Sequence, residues 1–388
     1  MSDKVTPLYP EKERKKKLRR RILVLCVIVL AVLAVVLAVL FRDRLNLDRI
    51  RRYFTYMTVR GEGYGTYTFD AHSANVGEAL GDGLAVASVA GLDVYGPNGE
   101  QLTGVAKTLR GPQLAVGSEL AVAWDVGRTA ICAATADGAV PLDLDAGGTL
   151  LDLDVSDGDY ICWADAGNGY KTVLTVMDAS MREIYKWYSS SQYLPLCSVS
   201  DDGSLLAAAA VGQSGGVFES SLVLFSTERE EPLATVSLGN ELVLDVEVLS
   251  QKRVCTVGER TVRFFDETGA ELGSCDYGGE FLTDFALGGN GFVALARNEF
   301  QAGSRCSVVT VDLAGQTLAE AYLGTEILSL SAAGNYLAVL TADRLVIYTA
   351  ALKEYAATEE ILGASHVTMR RDGTAILVGS GGAQLYLP

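Results

Sequence analysis

Beyond residue 62 the chain is a succession of short runs of β-branched, aromatic and small apolar residues, broken repeatedly by Gly, Asp, Asn and Ser. Two turn signatures alternate along it. In the first, the runs LDVYG, TVLTVMD, SLVLFS, TVRFFD, SVVTVD and RLVIYT end at Gly96, Asp178, Ser226, Asp266, Asp312 and Thr349, and each opens a turn into another strand. Gly is favoured three positions later, as at Gly99, Gly269 and Gly315, and Thr135 with Gly138 makes a further copy. An Asp or Thr side chain can bond the turning backbone, and Gly supplies positive φ. In the second signature, Gly, Asp or Asn precedes a run rich in Ala, Val and Leu. Examples are Gly81-Asp82-Gly83, Asp202-Gly203, Gly289-Asn290-Gly291, Gly334-Asn335 and Asp372-Gly373, with looser copies near Ser118, Gly158 and Lys252.

The first signature recurs at 96, 135, 178, 226, 266, 312 and 349, a period near forty residues. Four strands per unit at that period predict an all-β fold, a β-propeller, rather than a β-solenoid of shorter repeat. Eight inner hairpins against seven outer ones leave the last unit, ending in QLYLP, one strand short. A blade so truncated would present an open edge. The alternating segment GYGTYTFD, residues 63–70, is therefore predicted to supply the missing strand and close the ring. Eight blades fit best, with seven as the alternative.

The first sixty residues follow another pattern. Ile22–Phe41 is an unbroken apolar run of twenty residues, enough at about 1.5 Å per residue to cross a hydrocarbon layer of about 30 Å. It is longer than a cleavable signal core and ends directly in Arg42-Asp43-Arg44, so it predicts an uncleaved signal-anchor helix. Nine Lys or Arg precede it and six follow before residue 61. Basic flanks prefer the cytoplasm, which places residues 1–21 inside as a basic tail and the 63–388 domain outside the cell membrane. Leu47, Ile50, Tyr53, Phe54 and Met57 fall at helical spacing within residues 42–62. They predict an amphipathic juxtamembrane stalk, or a helix capping one end of the propeller.

Charge divides the chain at the same place. Residues 1–60 carry 15 basic and 5 acidic side chains, whereas the remainder carries 17 basic and 43 acidic ones. Nucleic-acid binding depends on cations that neutralise phosphates, and the acidic domain lacks that footprint. Cys132, Cys162, Cys197, Cys255, Cys275 and Cys306 lie in strand-like runs without a CxxC pair, and are expected as free thiols packed like small hydrophobes.

The repeat frame resembles that of pyrroloquinoline-quinone-like and WD40-like propellers, most closely in VRFFDETGAEL, Val262–Leu272. The Trp closing the quinone-type repeat is approached only by Trp187, and the paired Gly-His and Trp-Asp marks of WD40 blades do not recur from unit to unit. With its basic tail, signal anchor and acidic propeller, the chain is similar to membrane-anchored propellers of Gram-positive bacteria, a family without assigned function. That resemblance implies no catalytic residues.

Candidate chemistry is sparse. His72 and His366 stand just before inner strands of blades that ring closure makes neighbours, so the two could approach; two His without further ligands do not make a zinc site. Asp143, Asp145, Asp152, Asp154, Asp157 and Asp159 lack the spacing of a calcium loop, and Asp-Leu-Asp alternation is what a strand with one wet face produces. Tyr185, Trp187, Tyr188 and Tyr193 form an aromatic group on a predicted outermost strand and the loop after it, fit either for a partner surface or for packing between blades. No GxSxG elbow, phosphate loop or dinucleotide fingerprint occurs.

The expectation is a non-catalytic binding or scaffolding module at the cell surface. It would have a protein or cell-envelope partner and no nucleic acid, cofactor, metal or catalytic residues. The alternatives are a propeller hydrolase or lyase using carboxylates near the central channel, and a surface ligand sensor.

Overall fold

The computed structural model describes residues 64–388 apart from Ala302 and Ser304. The tail, the apolar run and the stalk predicted over residues 1–62 lie outside the described residues, among which no helix is long and apolar enough to cross a membrane. The described chain forms thirty-two strands, numbered β1 to β32, in eight four-stranded antiparallel sheets.

Each sheet is one blade of an eight-bladed propeller, and the closed ring excludes the solenoid. The innermost strands of blades one to eight are β2 (Val76–Leu80), β6 (Pro112–Val116), β10 (Thr149–Val155), β14 (Tyr193–Val199), β18 (Val243–Leu249), β22 (Phe281–Ala286), β26 (Ile327–Ala333) and β30 (His366–Met369). Blade eight is completed from the other end of the chain. β1 (Thr66–Thr68) pairs with β32 (Gly382–Tyr386) as its outermost strand, Tyr67 standing opposite Ala383. The strand that the last unit lacked thus comes from the start of the domain.

The second strand of every blade is packed between neighbouring sheets, so it reads as a nearly continuous apolar run. LAVAWD (Leu120–Asp125), FVALARN (Phe292–Asn298) and YLAVLT (Tyr336–Thr341) are buried along their whole length. The outermost strands alternate instead, as in ELGSCD of β21 (Glu271–Asp276). The outer turns take the geometry their sequence calls for. Asp266 Oδ1 accepts from the N–H groups of Thr268 and Ala270 (2.9 and 3.0 Å), Asp312 Oδ1 from those of Ala314 and Gln316 (2.9 and 2.8 Å), and Gly269 sits at φ +84°.

Blades five and six meet closely at their outer edges. A Cβ on Gly273 of β21 would lie 2.0 Å from the carbonyl oxygen of Ala314. Gly273→Ala must part the two blades there and is expected to lower stability by about 1–3 kcal/mol, read from a thermal melt.

Candidate functional site

An innermost strand is hydrogen-bonded to its own sheet along one edge only. The backbone groups of the other edge face the axis and need partners. Here the preceding blade supplies them through side chains. The N–H groups of Cys197 and Val199 on β14 donate to Asp152 Oδ2 and Asp154 Oδ2 of β10 (2.8 and 3.2 Å). Val248 N–H on β18 donates to Ser198 Oγ (2.9 Å), and Leu330 N–H on β26 to Asp284 Oδ2 of β22 (2.7 Å). Val367 and Met369 on β30 donate to Ser329 and Ser331 (3.3 and 2.9 Å), and Ala79 on β2 donates to Thr368 Oγ1 (3.2 Å). These staples join most blades around the ring.

Five consecutive blades, three to seven, carry a register shift in the innermost strand. It falls between Leu150 and Asp152, Tyr193 and Leu196, Val243 and Asp245, Leu282 and Asp284, and Ile327 and Ser329. The extra residue bends the strand and re-aims the side chains beyond it. In four of the five blades the residue just after the shift is an Asp or Ser.

The result is a channel wall rich in carboxylates. Asp152 and Asp154 on blade three and Asp245 and Glu247 on blade five lie close enough to repel one another, and each keeps only partial contact with solvent. Burial is the main cause of their raised pKa values. It takes Asp152 and Asp154 to about 6 and Asp245 to about 7, and holds Glu247 well above the carboxylate range. The N–H bonds to Asp152 and Asp154, and the Ser198 hydroxyl on Asp154, oppose the shift without cancelling it. Burial likewise raises Asp284 against the N–H groups of Leu330 and Phe285 and the charge of His366.

His366 closes a chain across blades seven, eight and one. Its Nδ1 lies 3.1 Å from Ser329 Oγ and its Nε2 3.0 Å from Glu78 Oε1. Burial alone would lower the imidazole pKa, and the bond to Glu78 outweighs it and raises it. At the end of the channel where the inner turns gather, Arg371 of blade eight pairs with Asp157 of blade three, and Lys252 of blade five with Asp202 of blade four at 2.9 Å.

The residues singled out in the sequence fare differently. His72 and His366 do not meet. His72 is exposed, with Nδ1 accepting from Ala74 N–H at 3.0 Å, because its segment crosses the outside of the closing blade before β2 begins. Asp143 and Asp145 sit on β9 (Leu142–Asp145), outermost in blade two, and share Lys107 (2.8 and 3.3 Å). Of the aromatic group, Tyr185 and Trp187 on β13 (Glu183–Ser189) turn into the seam of blades three and four, the Trp187 ring packing at a tilt against Phe225 at 4.8 Å. Tyr188 and Tyr193 face solvent at 50% and 49% exposure. Tyr193 belongs to β14 rather than to a loop; Tyr188 packs against Tyr170 at 4.8 Å, and Lys171 lies over the Tyr193 ring at 5.1 Å. Among the cysteines of the described residues, Cys275 is half-buried and the other five are buried, the sulfurs of Cys162 and Cys197 lying 3.7 Å apart.

Asp245 and Glu247 were missed, although the signal existed. LDVEV at 244–248 repeats LDLDV at 151–155 in the same place of the unit.

The model of a family of unknown function, DUF5711, matches residues 55–360. No curated protein matches the chain. Among solved structures, the C-terminal WD40 domain of Sif2 is similar, with a TM-score of 0.57 at 12% identity, covering 84% of this chain and all of that one. The WD40 repeats of RRP9 align at a TM-score of 0.48 and 12% identity over 73% of this chain and 97% of theirs. U3-55K aligns at a TM-score of 0.47 and 13% identity over 72% and 98%. At such identities the likeness to Sif2 concerns the fold.

Proposed function

This chain belongs to the DUF5711 family, and we propose that its eight-bladed propeller is an anchored binding module, held at the outer face of the cell membrane, that recruits a protein or cell-envelope component without catalysis. The observation that carries the binding role is the exposed cluster of Tyr170, Tyr188 and Tyr193 with Lys171 on blades three and four. Exposed tyrosines steadied by a packed neighbour, Tyr188 by Tyr170 and Tyr193 by Lys171, are residues from which interface hot spots are built. The apolar run Ile22–Phe41 and the basic residues before it support the anchor and its orientation, with residues 1–21 inside, 42–62 as stalk and 63–388 outside.

Two measurements test this. Protease applied to intact cells is expected to remove a C-terminal tag, and a protected tag would reverse the topology. Crosslinking on intact cells is expected to capture a reproducible partner that Tyr188→Ser with Tyr193→Ser loses by tenfold or more; capture unaffected by the pair would move the interface elsewhere.

The carboxylate wall favours a second reading, a hydrolase or lyase. An acid that keeps its proton near neutrality beside an ionised neighbour is the arrangement used for general acid–base work. Turnover of a substrate abolished by Asp245→Asn with the tyrosines intact would establish it.

A further inference from the structure

We propose that the space between the innermost strands of blades five and six is a binding site for an organic cation with an apolar body, a protonated amine or guanidinium. This goes beyond the scaffold reading and does not depend on which side of the membrane the propeller stands.

The staples explain most of the polar residues on the channel wall. Asp152, Asp154, Ser198, Asp284, Ser329, Ser331 and Thr368 are each occupied by an N–H of the next blade. Asp245 and Glu247 hold equivalent positions on β18 and have no such task. Asp245 Oδ1 accepts only the N–H of its own neighbour Val246 (2.8 Å), and Phe285, the residue of β22 that should reach back to it, donates instead to Asp284 (2.8 Å). Glu247 has no hydrogen-bond partner among the described residues, although protein surrounds most of it.

The strand spacing gives the reason. Seven of the eight neighbouring pairs of innermost strands approach closely around the ring, and β18 and β22 do not. The side chains of β18 that would staple blade six therefore stand free in the widened gap.

Its walls differ in character. On blade five stand Asp245 and Glu247, with Asp152 and Asp154 in electrostatic range and no Lys or Arg among the strongest influences on either. On blade six, Leu282, Phe285 and Leu287 line the core that blades five and six share. Leu244, next to Asp245 in the strand and 41% exposed, leaves apolar surface beside the acids.

Buried carboxylates without a cation carry a desolvation cost that a paired positive charge offsets. A bare divalent ion fits poorly, because it wants six to eight converging oxygens and half of its surroundings would be hydrocarbon. Among the described residues no three acidic, His or Cys side chains are placed to hold one. An alkylammonium suits both walls, its donors on Asp245 and Glu247 and its chain against Leu244 and the blade-six residues.

Titration calorimetry of the full chain in detergent, corrected for titration into micelles alone, tests this with three probes: hexylammonium, hexan-1-ol and calcium chloride. Hexylammonium is expected to bind saturably. Hexanol lacks the charge and calcium the apolar body, so each is expected to bind at least tenfold more weakly or not at all. Because the cation ionises acids that were holding protons, binding at pH 7 should release protons, seen as heats that change with the buffer. The enclosing groups that titrate are Asp245, Glu247, Asp152 and Asp154, with the charge of Asp157 acting from further out. Glu247→Gln and Leu244→Ser should each weaken hexylammonium tenfold or more. Calcium binding that displaces the amine, amine binding equal in the native chain and Glu247→Gln, or no saturable heat from the native chain would each overturn the proposal. If either variant fails to fold, the competition and the buffer dependence of the native chain still decide.

Discussion

A chain lacking residues 63–70 will not form a stable propeller. The deleted segment contains β1, which hydrogen-bonds through Thr66, Tyr67 and Thr68 to β32 and gives blade eight its outer strand. Tyr67 is only 2% exposed, packs edge-on against Tyr95 of blade one at 6.4 Å and reaches the buried Arg370 through its hydroxyl at 3.4 Å. Removing one such aromatic side chain costs about 3–5 kcal/mol, and stripping a strand from the edge adds unpaired backbone groups. The sum is of the order of the whole stability of a typical protein, about 5–15 kcal/mol. Tyr67→Ala isolates the packing share and should lower the melting temperature by about 6 °C or more, at about 2 °C per kcal/mol for a domain of this size. Circular dichroism melts with limited proteolysis check both, and a deletion that melts with the full chain would show that the ring closes without β1.

Acidification from pH 8 to 5.5 will stabilise the protein, against the habit of acidic domains whose carboxylates are paired. Asp152, Asp154, Asp245 and Glu247 all have raised pKa values in the fold. Between the ordinary carboxylate value near 4 and the folded values the native state holds more protons than the unfolded chain, so stability falls as pH rises through that window. Asp245, at about 7, contributes alone about 2 kcal/mol between pH 8 and 5.5. His366 acts in the same direction, since its raised pKa gives stability present at low pH and lost as pH rises through the folded value. Asp137, Asp178, Asp202, Asp266 and Asp343, bonded to turn donors, have lowered values and give their stability back only below the ordinary carboxylate range, outside this interval. The melting temperature is thus expected to rise by about 4 °C or more on acidification. Asp245→Asn with Glu247→Gln should flatten the profile and be the more stable protein at pH 8. A native profile that is level or rises with pH would contradict the burial of these groups.

The Tyr group shows how far local pattern carries. Tyr185 and Trp187 share one face of β13 and Tyr188 the other, as alternation requires. Which face met blade four was not written in that alternation. The edge of a propeller blade is buried on one side by its neighbour, and the neighbour's position comes from the ring.

What the sequence by itself determined is everything set by contacts within a unit: the turns opened by Asp266 and Asp312, the apolar second strands, eight inner hairpins and an incomplete last blade waiting for another strand. These features arise from period-two alternation and from turn chemistry, which act over a few residues. The tertiary structure alone decided what the acids on the innermost strands do. LDLDV and LDVEV are the same word, yet Asp152 and Asp154 fasten blade four while Asp245 and Glu247 face a gap. The difference lies in the distance between β18 and β22, and that distance is fixed by how eight sheets pack to close a circle, which no single unit contains.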